Sequence, residues 1–389
     1  MTELPIDSGA VSNSAALTRH FRPYQVVRRQ QESERITSFY LEPTDGQAIA
    51  PYQAGQYLVF RFNVDGQSVL RHYSVSADSA AQGRLRISVK HEQAPAGSAW
   101  PAGVGSTHWH EQVQPEDTVM AAGPMGDFVL DECSERPVVL LSGGVGITPL
   151  LCMLQRLVHG SQRKVYFLHA CENGEQHAFG HEVQALAQHR SGVTAVFYYR
   201  RPASDDLSLP WPYTEGMISR EHIQALLPLD DYEVYLCGPS GFMQANYAML
   251  RGLGVAQDRI HYEFFGPATV LETVLEKTDA AASAVLAPEP SLVSDSAVPA
   301  ADHVRFLPDG RELRWPEACE SLLVLAEEAG LNPDFNCRSG LCNTCMCSLL
   351  SGQVEYFEEP LDDVPPGKVL LCCARPKGPV VIDLQSGTA

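Results

Sequence analysis

Positive charge is scarce in this chain: 28 lysines and arginines stand against 47 aspartates and glutamates, for a formal net charge of −19. A protein that binds the phosphate backbone of nucleic acids needs a basic face, so the composition argues against nucleic acid as a partner. An acidic surface instead favours solubility and the electrostatic choice of a protein partner. The 44% of hydrophobic residues excludes a wholly disordered chain.

Long hydrophobic runs are also missing. The longest uncharged apolar stretch, Val138 to Leu154, is interrupted by three glycines and Pro149, whereas a membrane-spanning helix needs ~20 predominantly apolar residues. We therefore expect no membrane span. Residues 1–20 lack the basic segment and apolar core of a secretory signal. The sequence thus predicts a cytoplasmic protein whose eleven cysteines do not form disulfides.

The length of 389 residues predicts two or three domains of ~150 residues each. Residues 1–20 are rich in Ser, Ala and Asn and are interpreted as a flexible leader. Residues 269–300 are rich in Ala, Ser and Pro and are interpreted as an interdomain linker. The remaining sequence gives three predicted domains, at residues 21–133, 134–268 and 301–389.

The first domain has the pattern of short strands. In Arg84–Lys90 apolar residues alternate with polar ones, which predicts a half-buried strand with its polar residues facing solvent. Gln56–Val64 is a second such run, ending at the turn Asp65-Gly66. Many short strands separated by Gly/Pro turns favour a small antiparallel β-barrel.

The second domain alternates strands with helices. Apolar strand-like runs are followed by stretches with helical spacing, which predicts a parallel sheet covered on both faces. The predicted strands are Val138–Leu141, Val165–Leu168, Val193–Tyr199 and Tyr232–Leu236, and the predicted helices are Leu150–Val158, Glu182–Gln188 and Phe242–Leu250.

A cysteine cluster dominates the third domain. Cys337, Cys342 and Cys345 follow a C-x4-C-x2-C spacing. A further Cys, the first of the adjacent pair Cys372-Cys373, is separated from Cys345 by 26 residues. This is the plant-type spacing for a [2Fe–2S] cluster, and the paired C-x2-C knuckles of a zinc ribbon are absent. Buried structural cysteines are the alternative interpretation. The segment resembles plant-type ferredoxin domains, which have a β-grasp fold and whose last ligand stands four residues before a Pro; Pro376 then selects Cys372.

Two glycine-containing loops follow strands of the second domain. Gly143-Gly144-Val145-Gly146 lets backbone approach a pyrophosphate at a helix N-terminus, with Thr148 as the predicted N-cap and Pro149 at the first helical position. Cys237-Gly238-Pro239 follows a later strand. Ligands of open α/β sheets bind at the carboxyl ends of the strands, so both loops are expected to face one crevice. Cys237 alone would more often be an inert buried thiol.

A flavin is required by the electron count. A nicotinamide delivers two electrons as hydride, whereas a [2Fe–2S] cluster accepts one at a time, and flavin is the usual group that separates them. The short string Arg71-His72-Tyr73-Ser74 lies in the β-rich domain that precedes the other two. We take it as the flavin-binding candidate, although a surface strand with a buried Tyr would also explain it.

With these motifs in this order, residues 21–384 resemble the ferredoxin–NADP reductase superfamily. The resemblance is to the branch of oxygenase reductases and hybrid-cluster-protein reductases, and the first two domains resemble the reductase half of flavohaemoglobins. It implies that Arg71 binds flavin phosphate, that Tyr73 packs on the cofactor, and that Ser74 reaches the N5 region as a catalytic residue. It further implies cofactor contacts by Val89, Lys90, Gly105, Ser106, Thr107 and Phe265, nicotinamide contacts by residues 143–149 and by Gly238 and Pro239, and a catalytic position for Cys237.

The predicted function is therefore electron transfer from NADH or NADPH through FAD, or FMN, and the cluster to a partner protein. The most favoured partner is a terminal oxygenase or hydroxylase, with the acidic residues 358–363 as a docking candidate. Arg200 and Arg201 are candidates for a 2′-phosphate contact, and His169 and Glu172 for the adenosine pocket. The alternatives are a reductase of small acceptors such as quinones, a hybrid-cluster-protein reductase, and an iron–sulfur redox sensor.

Overall fold

A computed structural model describes residues 20–64, 66–78, 82–94, 102–265, 303–316, 319–335 and 337–384. The predicted leader, apart from residue 20, and the predicted linker lie outside the described residues. The chain divides into two compact units, Met1–Phe264 and Phe265–Ala389, and each has its own hydrophobic core. None of the described helices combines the length and apolar character that crossing a bilayer requires.

The first part of the first unit is an antiparallel sheet, as predicted. Its strand order is β4-β3-β6-β1-β2-β5, and a bridge between Val75 and Ile87 brings its two edge regions together. Trp109 is fully buried in this core and contacts the rings of Phe39 and Phe60. The elements are β1 Arg22–Gln31, β2 Ile36–Pro43, β3 Tyr57–Val64, β4 Gln67–Ser74, β5 Leu85–Lys90, β6 Thr118–Met125 and helix α1 Val104–Glu111.

Strand β5 departs from the predicted pattern. Its polar residues Arg86 and Ser88 are buried rather than facing solvent. The reason is that Arg86 lies against the neighbouring parallel-sheet domain, where its Nη1 donates to Oε2 of Glu182 at 2.8 Å and its guanidinium stacks on Phe179. The alternation of the sequence correctly predicts a strand, but the second domain covers Arg86, and the Ser88 hydroxyl bonds to those of Ser38 and Ser76 within the first domain.

The second part of this unit is an all-parallel sheet of order β10-β9-β8-β7-β11-β12. Its central strands are continuous apolar runs because helices cover both faces. The strands are β7 Val138–Gly143, β8 Val165–Cys171, β9 Val193–Tyr199, β10 Tyr213–Glu215, β11 Glu233–Gly238 and β12 Ile260–Phe264. The helices are α2 Ile147–Gly160, α3 Gly180–His189, α4 Arg220–Leu226 and α5 Ser240–Gly252.

The start of helix α2 differs from the prediction. The helix begins at Ile147 with Gly146 as its N-cap, so Thr148 and Pro149 lie inside the first turn. The Thr148 hydroxyl donates to the Val145 carbonyl at 3.0 Å and does not cap the helix. A short 3₁₀ turn at Gly144–Gly146 links strand β7 directly to the helix, which moves the helix start toward the glycines.

The second unit carries a mixed five-stranded sheet of order β14-β13-β17-β15-β16. Strand β13 pairs with β17 in parallel, and the other neighbours are antiparallel. The Ser321 hydroxyl caps the helix Leu322–Glu328 by accepting from the Val324 amide at 3.3 Å. The elements are β13 His303–Leu307, β14 Arg311–Arg314, α6 Leu322–Glu328, β15 Met346–Tyr356, β16 Lys368–Leu370 and β17 Ala374–Asp383.

Candidate cofactor and cluster sites

Strand β4 and helix α1 form the predicted flavin site. Arg71 is exposed on β4, Tyr73 is half-buried and Ser74 is buried at the end of the strand. The helix approaches so closely that a Cβ on Gly105 would lie 2.6 Å from Cγ of Arg71 and 3.0 Å from the Tyr73 hydroxyl. Glycine is therefore needed at position 105, and the structure brings the two predicted flavin-binding segments together.

The first turn of α1 is held by its own side chains. The Ser106 hydroxyl donates to the Gly103 carbonyl at 2.9 Å and accepts from the Glu92 amide at 3.1 Å. Thr107 Oγ1 is buried without a hydrogen-bond partner among the described residues. Val89 is buried, and the Lys90 ammonium lies 2.7 Å from a Glu92 carboxylate oxygen. An exposed guanidinium beside a helix N-terminus and an unpaired hydroxyl suit a phosphate-bearing cofactor.

The two glycine-containing loops of the parallel sheet lie against each other. A Cβ on Gly146 would overlap the Cys237 carbonyl, and one on Gly238 would lie 3.1 Å from the Gly143 amide nitrogen. Gly144 has φ +52°, and a Cβ there would meet no atom within 4 Å. One side of the loop is therefore closed by strand β11, and the other is open to a ligand.

Phe242 is a residue of this crevice that sequence reasoning missed. Its ring lies against both loops, since a Cβ on Gly143 would be 2.9 Å from its Cγ and one on Gly238 would be 2.7 Å from its Cδ1. Both glycines thus make room for an aromatic ring from helix α5. Its position three residues after Pro239 was the available signal.

Cys237 is fully buried and faces a second missed residue, Glu263. The two residues are paired in the β11–β12 register, and burial raises the pKa of the Cys237 thiol well above its usual range. Burial, with the nearby Asp127 as the smaller cause, raises the pKa of Glu263 to about 8. Glu263 Oε2 has no hydrogen-bond partner among the described residues. The sequence signal was a carboxylate inside the otherwise uncharged strand Ile260–Phe264.

Phe265 follows strand β12 and is 36% exposed. Pro239 is the N-cap of helix α5.

His169 is almost completely buried, with Nδ1 2.8 Å from the Ser142 hydroxyl and its ring stacked on His177. Burial lowers the pKa of His169 well below its ordinary value. His169 is therefore a neutral core residue, whereas Glu172 is half-buried and Arg200 and Arg201 are exposed.

Three predicted cluster ligands lie on a loop with unusual backbone geometry. Arg338, Gly340 and Asn343 all have positive φ, at 56°, 69° and 59°, which turns backbone amides inward. The Leu341 amide donates to Cys337 Sγ at 3.2 Å, and the Gly340 amide donates to Cys372 Sγ at 3.3 Å. Such donors favour thiolate ligands because they stabilise negative charge on sulfur.

The cysteine thiols contact one another in pairs. Cys337 interacts with Cys342 and with Cys372, and Cys372 interacts with Cys345 as well. Within the described ranges no group of three or more His, Cys, Asp or Glu side chains surrounds a single ion position. Pairwise contacts among four thiols fit a cluster of two irons, which takes four cysteine ligands. The residues present therefore fit a [2Fe–2S] group.

The other three cysteines of this domain have different surroundings, although the Cys373 thiol interacts with that of Cys372. The Cys373 thiol lies 3.9 Å from the Leu370 carbonyl, and the Cys319 thiol bonds to the Ser321 carbonyl at 3.4 Å. Cys347 is buried in strand β15. The amide contact from Gly340 to Cys372 supports the choice of Cys372 over Cys373 as fourth ligand.

The acidic segment 358–363 packs beside the cluster loop. The Leu361 amide donates to the Gly340 carbonyl at 3.1 Å, and the Phe357 amide donates to the Cys373 carbonyl at 3.2 Å. Phe357 itself is 47% exposed. An exposed aromatic ring and a run of carboxylates are therefore held next to the predicted ligands.

Three protein families match the chain in consecutive segments. Residues 23–130 match the oxidoreductase FAD-binding domain, residues 140–247 the oxidoreductase NAD-binding domain, and residues 305–377 the 2Fe-2S iron-sulfur cluster binding domain. The predicted FAD, NAD and [2Fe–2S] cofactors thus each have a matching domain.

Curated relatives match the first two domains. A flavohemoprotein of Bordetella pertussis is 44% identical over 250 residues, 63% of this chain and 61% of its own length. One from Bacillus cereus (strain ATCC 10987 / NRS 248) is 42% identical over 257 residues, 65% of this chain and 63% of its own length. The chain therefore spans less than two thirds of the flavohemoproteins it matches.

Similar solved structures match either the first two domains or nearly the whole chain. The flavohem-like FAD/NAD-binding domain of a nitric oxide dioxygenase from Vibrio cholerae is 39% identical with a TM-score of 0.55, covering 64% of this chain and all of that one. Phthalate dioxygenase reductase is 23% identical with a TM-score of 0.53, covering 94% of this chain and 98% of its own. The second likeness shows a shared three-domain fold.

Proposed function

The chain belongs to the ferredoxin–NADP reductase superfamily, and from this we propose that it delivers electrons from NAD(P)H to a separate protein, a terminal oxygenase or hydroxylase. It is an oxidoreductase with FAD, NAD and [2Fe–2S] domains in one polypeptide. When bound, these groups supply hydride acceptance and one-electron transfer.

The chain's own residues have assignable tasks in this proposal. Arg71 and the first turn of α1 would hold the flavin phosphate, and Tyr73 and Ser74 would contact the flavin ring. The glycine loop binds the pyrophosphate of the nucleotide, which leaves its nicotinamide end over Cys237. Glu263 keeps its proton up to about pH 8, so it stands beside the reacting end as a neutral hydrogen-bond donor. Near-attack geometry at such a point governs the rate of hydride transfer.

The observation that carries the choice of a protein acceptor is the surface beside the cluster loop. Phe357 and the acidic segment 358–363 are tied by backbone hydrogen bonds to Cys373 and Gly340. A reductase of small acceptors has no need for such a surface. A protein acceptor with a basic face gains both association rate and orientation from it.

Two acceptors of different size test the proposal. Cytochrome c is a basic one-electron acceptor protein, and ferricyanide is a small one. Replacement of Cys345 by Ser should lower the rate of cytochrome c reduction at least ~10-fold, because it removes a cluster ligand. NADH-dependent reduction of ferricyanide by the flavin should persist. Equal cytochrome c reduction without the cluster would favour the small-acceptor alternative.

The docking surface is tested by charge removal. A variant with Gln or Asn at all four acidic positions should raise KM for cytochrome c by ~10-fold at low ionic strength, with the effect shrinking as salt rises. The four positions are Glu358, Glu359, Asp362 and Asp363. A matched control neutralises four other carboxylates of the same domain, at Asp309, Glu312, Glu320 and Glu328. An equal loss in the control would exclude a specific docking surface, and oxygenase turnover assayed with both variants extends the test to the proposed partner.

A further inference from the structure

Glu172 and two arginines form a charged cluster at the carboxyl edge of the parallel sheet. Strand β8 ends at Cys171 and strand β9 at Tyr199. Beyond these ends the backbone pairing continues, since the Arg200 amide donates to the Cys171 carbonyl at 2.9 Å and the Arg201 amide to the Glu172 carbonyl at 2.8 Å. The sheet therefore fixes the positions from which all three side chains extend.

One carboxylate engages both guanidinium groups. Oε1 of Glu172 lies 3.3 Å from Nη1 of Arg200, and Oε2 accepts from Nε of Arg201 at 2.9 Å. Nη2 of Arg201 is also 2.8 Å from the same carboxylate. The arginines are largely exposed while Glu172 is 33% exposed. The positive charge at this edge is thus partly neutralised before any nucleotide arrives.

The strand order indicates which half of a nucleotide reaches this cluster. Pyrophosphate binds at the glycine loop after β7, and the Cys237 loop after β11 lies on one side of it. Strands β8 and β9 lie on the other side. With the nicotinamide half over β11, the adenosine half must extend over β8 and β9, which lie ~5 and ~10 Å away at the usual strand spacing. That places the adenosine ribose beside Glu172.

We propose that Glu172 makes this chain select NADH over NADPH; the inference rests on the proposed function. A carboxylate at this position accepts a hydrogen bond from a ribose 2′-hydroxyl. The same carboxylate repels a 2′-phosphate and occupies the two guanidinium groups that would otherwise bind it bidentately. Nucleotide selection then comes from a repulsive group as well as an attractive one.

Repulsion between Glu172 and a 2′-phosphate has to supply most of the selectivity. Exposed ion pairs are weak, so pairing with Glu172 would not by itself keep the two arginines from binding a phosphate. Removing the charge of Glu172 while keeping its shape therefore separates the two effects. The Glu172→Gln change leaves a hydrogen-bonding group for the ribose but frees both arginines for a phosphate.

Equilibrium binding of NAD⁺ and NADP⁺ to the oxidised holoenzyme, measured by calorimetry, tests the inference without turnover. The wild type should bind NAD⁺ more tightly, and Glu172→Gln should shift the ratio of the two dissociation constants by ~10-fold or more toward NADP⁺. The ratio of kcat/KM for NADH and NADPH should shift in the same direction. Glu135→Gln, which removes an exposed carboxylate before β7 at the opposite edge of the sheet, should leave both ratios unchanged.

A third variant tests whether the two arginines bind the 2′-phosphate. Adding Arg200→Gln and Arg201→Gln to Glu172→Gln should abolish the gained NADP⁺ binding. Wild-type preference for NADP⁺, an unchanged ratio in Glu172→Gln, or a gain that persists without the arginines would each overturn the inference. Failure of the proposed function looks different, because then Cys345→Ser would reduce cytochrome c as fast as the wild type, whatever the ratio of the two nucleotide dissociation constants.

Discussion

Cys372 and Cys373 are adjacent in the chain, yet their surroundings differ. Cys372 receives the Gly340 amide and contacts the thiols of Cys337 and Cys345. The Cys373 thiol also interacts with that of Cys372, but its own hydrogen-bond contact is the Leu370 carbonyl at 3.9 Å. Cys372→Ser should abolish or severely disturb the visible absorption and electron paramagnetic resonance spectra of the cluster. Cys373→Ser is the matched control and should leave them largely intact; the reverse outcome would show that the fourth ligand is assigned wrongly.

Glu263 should impose a pH dependence on stability. Its pKa is about 8 in the folded chain against an ordinary 4.5, so between these values the folded state holds a proton that the unfolded state has lost. The stabilisation is complete below pH 4.5, falls as pH rises and is lost above about pH 8.

Denaturant unfolding of flavin-saturated protein at pH 5 and pH 8.5 measures this effect. Glu263→Gln keeps the shape without the titrating group, so the variant should lose less free energy of unfolding between the two pH values than the wild type. The difference is on the order of a few kcal/mol at ~1.4 kcal/mol per pKa unit. Parallel pH profiles for the two proteins would contradict the assignment.

At the scale of elements, the turn before α2 lies in close contact with strand β11. Because a Cβ on Gly146 would overlap the Cys237 carbonyl, Gly146→Ala must push the glycine loop away from β11. We expect at least ~10-fold weaker NAD⁺ binding and a free energy of unfolding lower by ~1–3 kcal/mol. Gly241→Ala in α5 meets no atom within 4 Å and should be neutral or slightly stabilising. Equal binding by both variants in calorimetry would refute the requirement for close approach.

The local sequence pattern predicts strands and glycine loops well where nearby residues in the chain determine the structure. Val193–Tyr199 has the bounds predicted from its apolar and β-branched residues, and the glycines mark the loop where backbones meet. The same reasoning failed for Arg86, since alternation shows which residues share a face but not what covers that face. It also missed Glu263 and Phe242, whose importance depends on residues that are distant in sequence and adjacent only in the folded sheet.

At the scale of the whole molecule, the two compact units have separate hydrophobic cores. Residues 1–268 contain every described residue of the first core, including both the antiparallel and the parallel sheet. The Arg86–Glu182 pair joins strand β5 of the antiparallel sheet to helix α3 of the parallel-sheet domain inside that unit. Domains with their own core generally fold alone.

Truncation after Ala268 should therefore leave a folded flavoprotein. Its rate of NADH oxidation with ferricyanide should be within ~2-fold of that of the full chain, because the nucleotide and flavin sites are complete without the cluster domain. Cytochrome c reduction should fall at least ~10-fold, since the Cys337–Cys372 thiols and the acidic segment are removed together. Flavin content, a thermal melt and the two acceptor assays measure this. Loss of flavin on truncation would mean that the cluster domain is needed to fold the first unit. Retained cytochrome c reduction would mean that electrons leave from the flavin directly.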